Sequence, residues 1–137
     1  MAIDNGKSIE SRRRFGQFAT PYELAQVAVK ALDARRAKEI RMLKTTDVTT
    51  LADYFVICSG TSNTQIKALT ESVEEAMKNA GEMPDHIEGH REGTWVLSDY
   101  GCVVVHIFSP EAREFYDLER LWSDAEEIDI SGIVTQD

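Results

Sequence analysis

The segment TWVLSDYGCVVVHIFSPEAREFYDLERLW, residues 94–122, decides the fold. Its first half predicts two strands, 94–100 and 102–108, joined at a turn that contains glycine. Its second half opens with Ser109-Pro110-Glu111, which is typical of a helix start, and predicts a helical region to about Ala125. The segment therefore predicts a β-hairpin that leads directly into a helix.

The turn of this hairpin determines which side chains share a face of the sheet. With Tyr100-Gly101 as a two-residue turn, Trp95 pairs with His106. One face is then aliphatic and is predicted to be core, with Val96, Val103, Val105 and Ile107 on it. The other face is mixed and carries Trp95, Leu97, Asp99, His106 and Phe108. A mixed face of this kind is typical of a partner-binding patch with aromatic anchors, but a covering helix would make it core, so both interpretations stay open.

Upstream of the hairpin, the sequence predicts two helices and three strands. The first helix begins at Thr20-Pro21-Tyr22-Glu23, where Thr20 and Glu23 form a capping box. The second follows the Ser59-Gly60-Thr61 turn, with a capping box at Ser62 and Gln65 and an end at Gly81. The strands are predicted at 40–45, 54–59 and 85–90. This order predicts an α/β fold, a mixed sheet of about five strands sandwiched by helices.

The 137 residues are predicted to form one domain with two flanking segments. Residues 1–19 are expected to be a flexible N-terminal extension, 20–125 the folded domain, and 126–137 a mobile acidic C-terminal tail. No apolar stretch approaches the ~20 residues of a membrane span. Cys58 and Cys102 match neither a redox motif nor a zinc site, so we expect reduced core residues in a cytoplasmic protein.

The charge is divided unevenly along the chain. Residues 1–45 hold ten Lys and Arg against five Asp and Glu, a net of +5, whereas residues 46–137 hold five against nineteen, a net of −14. An acidic body repels phosphate backbones, so we expect little direct nucleic-acid binding. It suits a basic protein partner, although acidity that serves only solubility remains an alternative.

Three groups of polar residues are candidates for a chemical site. The loop around Gly60 precedes a helix and could bind an anion, but it lacks the Lys of a phosphate loop, which favours a plain capped turn. Asp85, Glu88 and Asp99 form no Asp-x-Asp or Asp-x-Glu pair for Mg²⁺. His86, Glu88 and His90 alternate on one strand too far apart to close easily around one ion. We therefore expect no metal, no cofactor and no catalytic residue.

Several short motifs lie along residues 22–125, and they are Asp53-Tyr54-Phe55-Val56, Ser59-Gly60-Thr61-Ser62, Glu88-Gly89 with Trp95, Asp99-Tyr100-Gly101, His106-Ile107-Phe108, Arg113-Glu114-Phe115-Tyr116, Leu118-Glu119 and Leu121-Trp122. In this combination the chain resembles the Iojap family of ribosomal silencing factors over roughly residues 22–125. Cys102, where the family often has an acidic residue, is a mild departure.

The resemblance implies a nucleotidyltransferase-like architecture without enzyme activity. It implies binding to the large ribosomal subunit through the basic ribosomal protein L fourteen, which blocks joining of the small subunit and represses translation. Organelle relatives act in large-subunit assembly. A homodimer stays an open hypothesis. The alternative function is a nucleotidyltransferase-like enzyme or nucleotide sensor that uses the Gly60 loop. The residues predicted to bind the partner are Trp95, Leu97, Asp99, Tyr100, His106, Phe108, Glu114 and Tyr116.

Overall fold

The computed structural model describes residues 19–89 and 93–135. In chain order the elements are α1 (Pro21–Ala34), β1 (Lys38–Lys44), β2 (Tyr54–Ser59), α2 (Asn63–Asn79), β3 (His86–Glu88), β4 (Trp95–Asp99), β5 (Val103–Phe108), α3 (Pro110–Tyr116), α4 (Leu118–Leu121) and β6 (Glu126–Ile128). The predictions for residues 1–18 and for His90 lie outside the described residues. Within the described part of the chain, no helix has the length and apolar content that a membrane span requires.

The strands form a single sheet in the order β3-β4-β5-β2-β1-β6. β2 and β5 are parallel, and the other neighbours are antiparallel, so the predicted mixed sheet and the β3-β4-β5 meander are confirmed. α1 and α2 pack on one face over the main core, while α3 and α4 contribute to a second core on the other. The central strands are therefore covered on both sides, as the apolar run 54–59 predicts.

Local hydrogen bonds start both long helices. The capping box of α1 is confirmed, since Glu23 N donates to Thr20 Oγ1 at 3.1 Å and Thr20 N donates to Glu23 Oε1 at 2.8 Å. In α2 only half of the predicted box exists: Gln65 N donates to Ser62 Oγ. The Gln65 carboxamide instead accepts from Thr61 N and donates to the carbonyls of Arg35 and Arg36, which ties the two helices together.

The hairpin turn lies one residue later than the sequence predicts. Trp95 pairs with Phe108 and Leu97 with His106, because the two-residue turn is Gly101-Cys102. The Asp99 carboxylate accepts from Gly101 N at 2.8 Å, and Gly101 has a φ of 86°, which together favour this turn. The pairing shifts by two residues, an even number, so the predicted aliphatic and mixed faces are unchanged.

The C-terminal part of the chain differs most from expectation. The predicted helix to Ala125 is broken at Asp117, whose φ is 51°, into α3 and α4. The expectation of a mobile tail from Glu126 is wrong for residues 126–135. β6 pairs with β1, Ile130 and Val134 pack on the main core, and Thr135 N and Oγ1 donate to the Asp33 carboxylate.

Candidate functional site

Five aromatic side chains form a continuous row from the interior to the surface. We call them the aromatic row, and they are Trp95, His106, Phe108, Phe115 and Tyr116. Trp95 stacks on Phe108 with ring centroids 5.0 Å apart and contacts Tyr116 at 4.7 Å. Phe115 stands edge-on to Tyr116 at 5.0 Å. The packed inner rings thus support the outer ones in one arrangement.

The outer end of the row is open to solvent. Phe115 is 79% exposed and Tyr116 is 50% exposed, although both are large and apolar enough to favour burial. Beside them runs a groove of about 550 Å³ between the starts of α2 and α3, in which Glu111 is the one charged group among the described lining residues. Exposed aromatic side chains with a polar border have the composition of an interface anchor.

His106 lies at the inner end of the row and is 3% exposed. Its Nδ1 accepts a hydrogen bond from Trp95 Nε1 at 3.2 Å, so the neutral ring carries its proton on Nε2. Phe55 lies edge-on to the imidazole, with ring centroids 5.0 Å apart. Burial among these rings disfavours the charged form and lowers the pKa of His106 from 6.5 to about 4. The imidazole is therefore neutral at physiological pH.

This depressed pKa predicts an acid-sensitive stability. Between pH 6.5 and about 4 the unfolded chain binds a proton at His106 that the folded chain does not, so the free energy of unfolding falls as the pH falls. Across that window the loss is about 3 kcal/mol, at ~1.4 kcal/mol per pKa unit. Urea unfolding of wild type and His106→Leu at several pH values tests this, because the contributions of shared carboxylates cancel in the difference. A difference that does not change with pH would contradict it.

A buried arginine holds the exposed helix against the sheet. Arg113 donates through Nη1 to Ser59 Oγ at 2.9 Å, and through Nε and Nη2 to Glu119 Oε2 at 3.1 and 2.6 Å. Arg41 on β1 lies 3.9 Å from the same carboxylate. Burial alone would raise the pKa of Glu119, but the hydrogen bonds and charge of Arg113 outweigh it and lower that pKa. This network joins β1, β2, α3 and α4.

The loop at Gly60 packs closely against α2. A Cβ at Gly60 would lie 2.7 Å from Ile66 Cγ1, so glycine allows the loop to approach α2 closely. Gly60 N donates to the Phe108 carbonyl, and Thr61 N donates to Gln65 Oε1, so these two amides are already used. This arrangement favours the capped turn over a phosphate site.

The acidic residues on β3 and β4 contact a histidine and the turn. His86 Nε2 lies 3.0 Å from Glu88 Oε2, and His86 Nδ1 lies 3.9 Å from Asp99 Oδ2. Within residues 19–89 and 93–135, no group of three or more His, Cys, Asp or Glu side chains is arranged to hold a metal ion.

The eight residues predicted to bind the partner fall into three groups. Glu114 and Tyr116 on α3 are exposed, and Trp95, Leu97 and Asp99 on β4 are partly exposed. Of these three, Trp95 contacts Tyr116. His106 and Phe108 are buried beneath these residues and can act only by supporting them. Tyr100 is fully buried in the main core on the opposite side of the sheet, because it follows Asp99 by one residue. The prediction that this surface binds a partner stays a prediction, with Tyr100 outside it.

Sequence reasoning missed two residues that the structure makes prominent. Phe115 is the most exposed large apolar side chain described, yet the predicted long helix gave no reason to choose between it and Tyr116. The end of α3 at Asp117 places both rings in its last turn. Arg113 was missed because a surface helix commonly carries arginines, and its acceptor Ser59 is 54 positions away.

Comparison with known proteins places this fold in a family. The family "Ribosomal silencing factor during starvation" (RsfS) matches residues 19–137. A ribosomal silencing factor RsfS from Halalkalibacterium halodurans is 35% identical over 113 residues, which cover 82% of this chain and 97% of that protein. One from Chromobacterium violaceum is 42% identical over 100 residues, covering 73% and 82%.

A solved structure supports the same conclusion. A crystal structure of a Chromobacterium violaceum protein superposes with a TM-score of 0.74 at 40% identity and covers 76% of this chain and 87% of that one. The fold, a mixed α/β sheet with helices on both faces, therefore matches this relative. The chain belongs to the ribosomal silencing factor family, whose relatives are named for a regulatory role. The family resemblance seen in the sequence is confirmed.

Proposed function

We propose that the protein binds the large ribosomal subunit through ribosomal protein L fourteen and blocks joining of the small subunit, which represses translation. The observation that carries the proposal is the exposed pair Phe115 and Tyr116. Tyr116 contacts Trp95, Glu111 lines the groove beside the pair, and the exposed Glu114 directly precedes Phe115 in the chain. Aromatic anchors beside carboxylates suit a basic protein surface. The family resemblance supplies the identity of that basic partner.

We further propose that the protein acts in the cytoplasm by occupying a surface, without catalysis. Two amides of the Gly60 loop are bonded within the protein, and Glu88 lies against His86. These contacts give the alternative nucleotide-dependent function no specific support.

Cosedimentation with purified subunits tests the first step of this function. We expect the protein to pellet with large subunits and to stay in the supernatant with small subunits. Preloading the large subunits should then reduce the formation of joined ribosomes when small subunits are added. Binding without any effect on joining would refute the blocking role.

The uneven charge predicts salt-sensitive association. Residues 46–137 carry a net charge of −14, so encounter with a basic partner should be accelerated at low ionic strength. We expect the association rate constant, measured by stopped flow against purified L fourteen, to fall by about tenfold between 20 and 150 mM salt. The dissociation rate should change much less, because screening acts mainly on the encounter. A rate constant that stays flat over this range would exclude electrostatic steering.

A further inference from the structure

The hydrogen bond between Trp95 and His106 joins the interior to the exposed end of the aromatic row. Trp95 Nε1 donates to His106 Nδ1 at 3.2 Å, and the indole in turn contacts Tyr116, with ring centroids 4.7 Å apart. Aromatic contacts are compatible with a range of ring offsets and centroid distances, whereas a hydrogen bond has a preferred distance and angle. The direction of the Trp95 ring is thus set by a residue that no partner can reach.

We propose that His106 is a positioning residue of the partner-binding surface: its Nδ1 fixes the Trp95 indole and, through it, the ring of Tyr116. This inference rests on the function proposed above and adds a specific role within that site. His106 itself contacts no partner, since it is 3% exposed.

Packing alone does not account for a histidine at this position. Phe55, Trp95 and Phe108 surround the imidazole, and its Nε2 has no hydrogen-bond partner within the described part of the chain. A buried N–H without an acceptor is unfavourable, and an aliphatic side chain would fill the space without that cost. The polar ring is therefore explained by the acceptor that it offers to Trp95.

The neutral state of the imidazole is suited to this role. Only an unprotonated Nδ1 can accept the indole N–H, and the aromatic surroundings keep the ring neutral. The described ring contacts of His106 come from β2, β4 and β5, and they are Phe55, Trp95 and Phe108, none of which carries a charge.

Two variants in a single-tryptophan protein test the proposal. The chain has two tryptophans, so Trp122→Phe leaves Trp95 as the one tryptophan. In that background, His106→Leu removes the acceptor and the unpaired N–H together, whereas His106→Asn keeps an acceptor oxygen near the position of Nδ1. Indole emission, excited at the red edge of the tryptophan band where tyrosine does not absorb, reports the hydrogen bond. The melting temperature reports folding, and cosedimentation with large subunits reports binding.

We expect His106→Leu to melt at or above the temperature of the background, to shift the Trp95 emission to shorter wavelength, and to bind about tenfold more weakly. His106→Asn should recover most of the emission and binding. A folded His106→Leu protein with unchanged emission and binding would overturn the proposal. If His106→Asn fails to fold, the comparison of His106→Leu with the background protein still decides. If the background protein itself does not bind large subunits, the proposed function fails, and the emission shift alone then decides whether His106 positions Trp95.

Discussion

Tyr116→Ala and Phe115→Ala are each expected to weaken binding to the large subunit by roughly 30- to 1000-fold, equivalent to ~2–4 kcal/mol. Tyr116 contacts Trp95 and Phe108, and Phe115 contacts Tyr116, so ring contacts within the protein restrict both side chains before the partner arrives. Such a restriction lowers the conformational entropy that is lost on binding. Cosedimentation over a range of subunit concentrations measures the affinity of each variant and of wild type.

A matched control separates a specific contact from a general loss of apolar surface. Met83 is 57% exposed and follows the C-terminal end of α2, about 25 Å along that helix from the groove beside Phe115. Met83→Ala should leave affinity within about twofold of wild type. Phe115→Ala is the cleaner of the two aromatic variants, since its ring is 79% exposed and its loss should not alter the melting temperature. Wild-type affinity in both folded aromatic variants would show that the interface lies elsewhere.

Arg113→Met is expected to destabilise the fold by about 2–4 kcal/mol. Removal of one member of a buried ion pair typically costs ~3–5 kcal/mol because the other charge is left without its partner. The value here should be lower, since the Glu119 side chain keeps 20% of its exposure and Arg41 lies 3.9 Å away. Urea unfolding followed by circular dichroism measures the change.

The neighbouring Arg120 provides the control for charge. It is exposed on α4, so Arg120→Met makes the same chemical change without removing a buried side chain. We expect it to alter the free energy of unfolding by less than about 0.5 kcal/mol. Equal losses in the two variants would mean that the Arg113 network contributes nothing beyond general electrostatics.

Much of this fold can be predicted from the sequence, because caps and strand faces depend on residues that are close together in the chain. The capping box at Thr20 and the aliphatic face of the hairpin follow from spacing alone. The hairpin register was wrong by two residues, since a hydrogen bond from Gly101 to the Asp99 side chain selects the turn. β6 was missed because Glu126 and Glu127 disfavour a strand locally. Pairing with β1 and an ion pair from Arg41 to Glu127 at 3.5 Å stabilise it.

The sequence predicts where the candidate site lies better than it predicts which side chains are exposed there. The mixed face of β4 and β5 indicated a patch near Trp95, and the exposed rings do lie beside it. Which side chains reach solvent depends on how α3 covers that face, and the break at Asp117 sets this. The interior positions of His106 and Phe108 follow from the second core, which includes Leu118 of α4. Contacts between residues far apart in sequence thus determine the surface.

The central claim is that the Phe115–Tyr116 end of the aromatic row binds the large subunit. The most direct measurement is the affinity of Phe115→Ala for purified large subunits, with Met83→Ala and wild type measured alongside. We predict that Phe115→Ala keeps the wild-type melting temperature and binds at least about 30-fold more weakly, while Met83→Ala binds like wild type. A Phe115→Ala protein that is folded and binds the large subunit at wild-type strength would contradict the account.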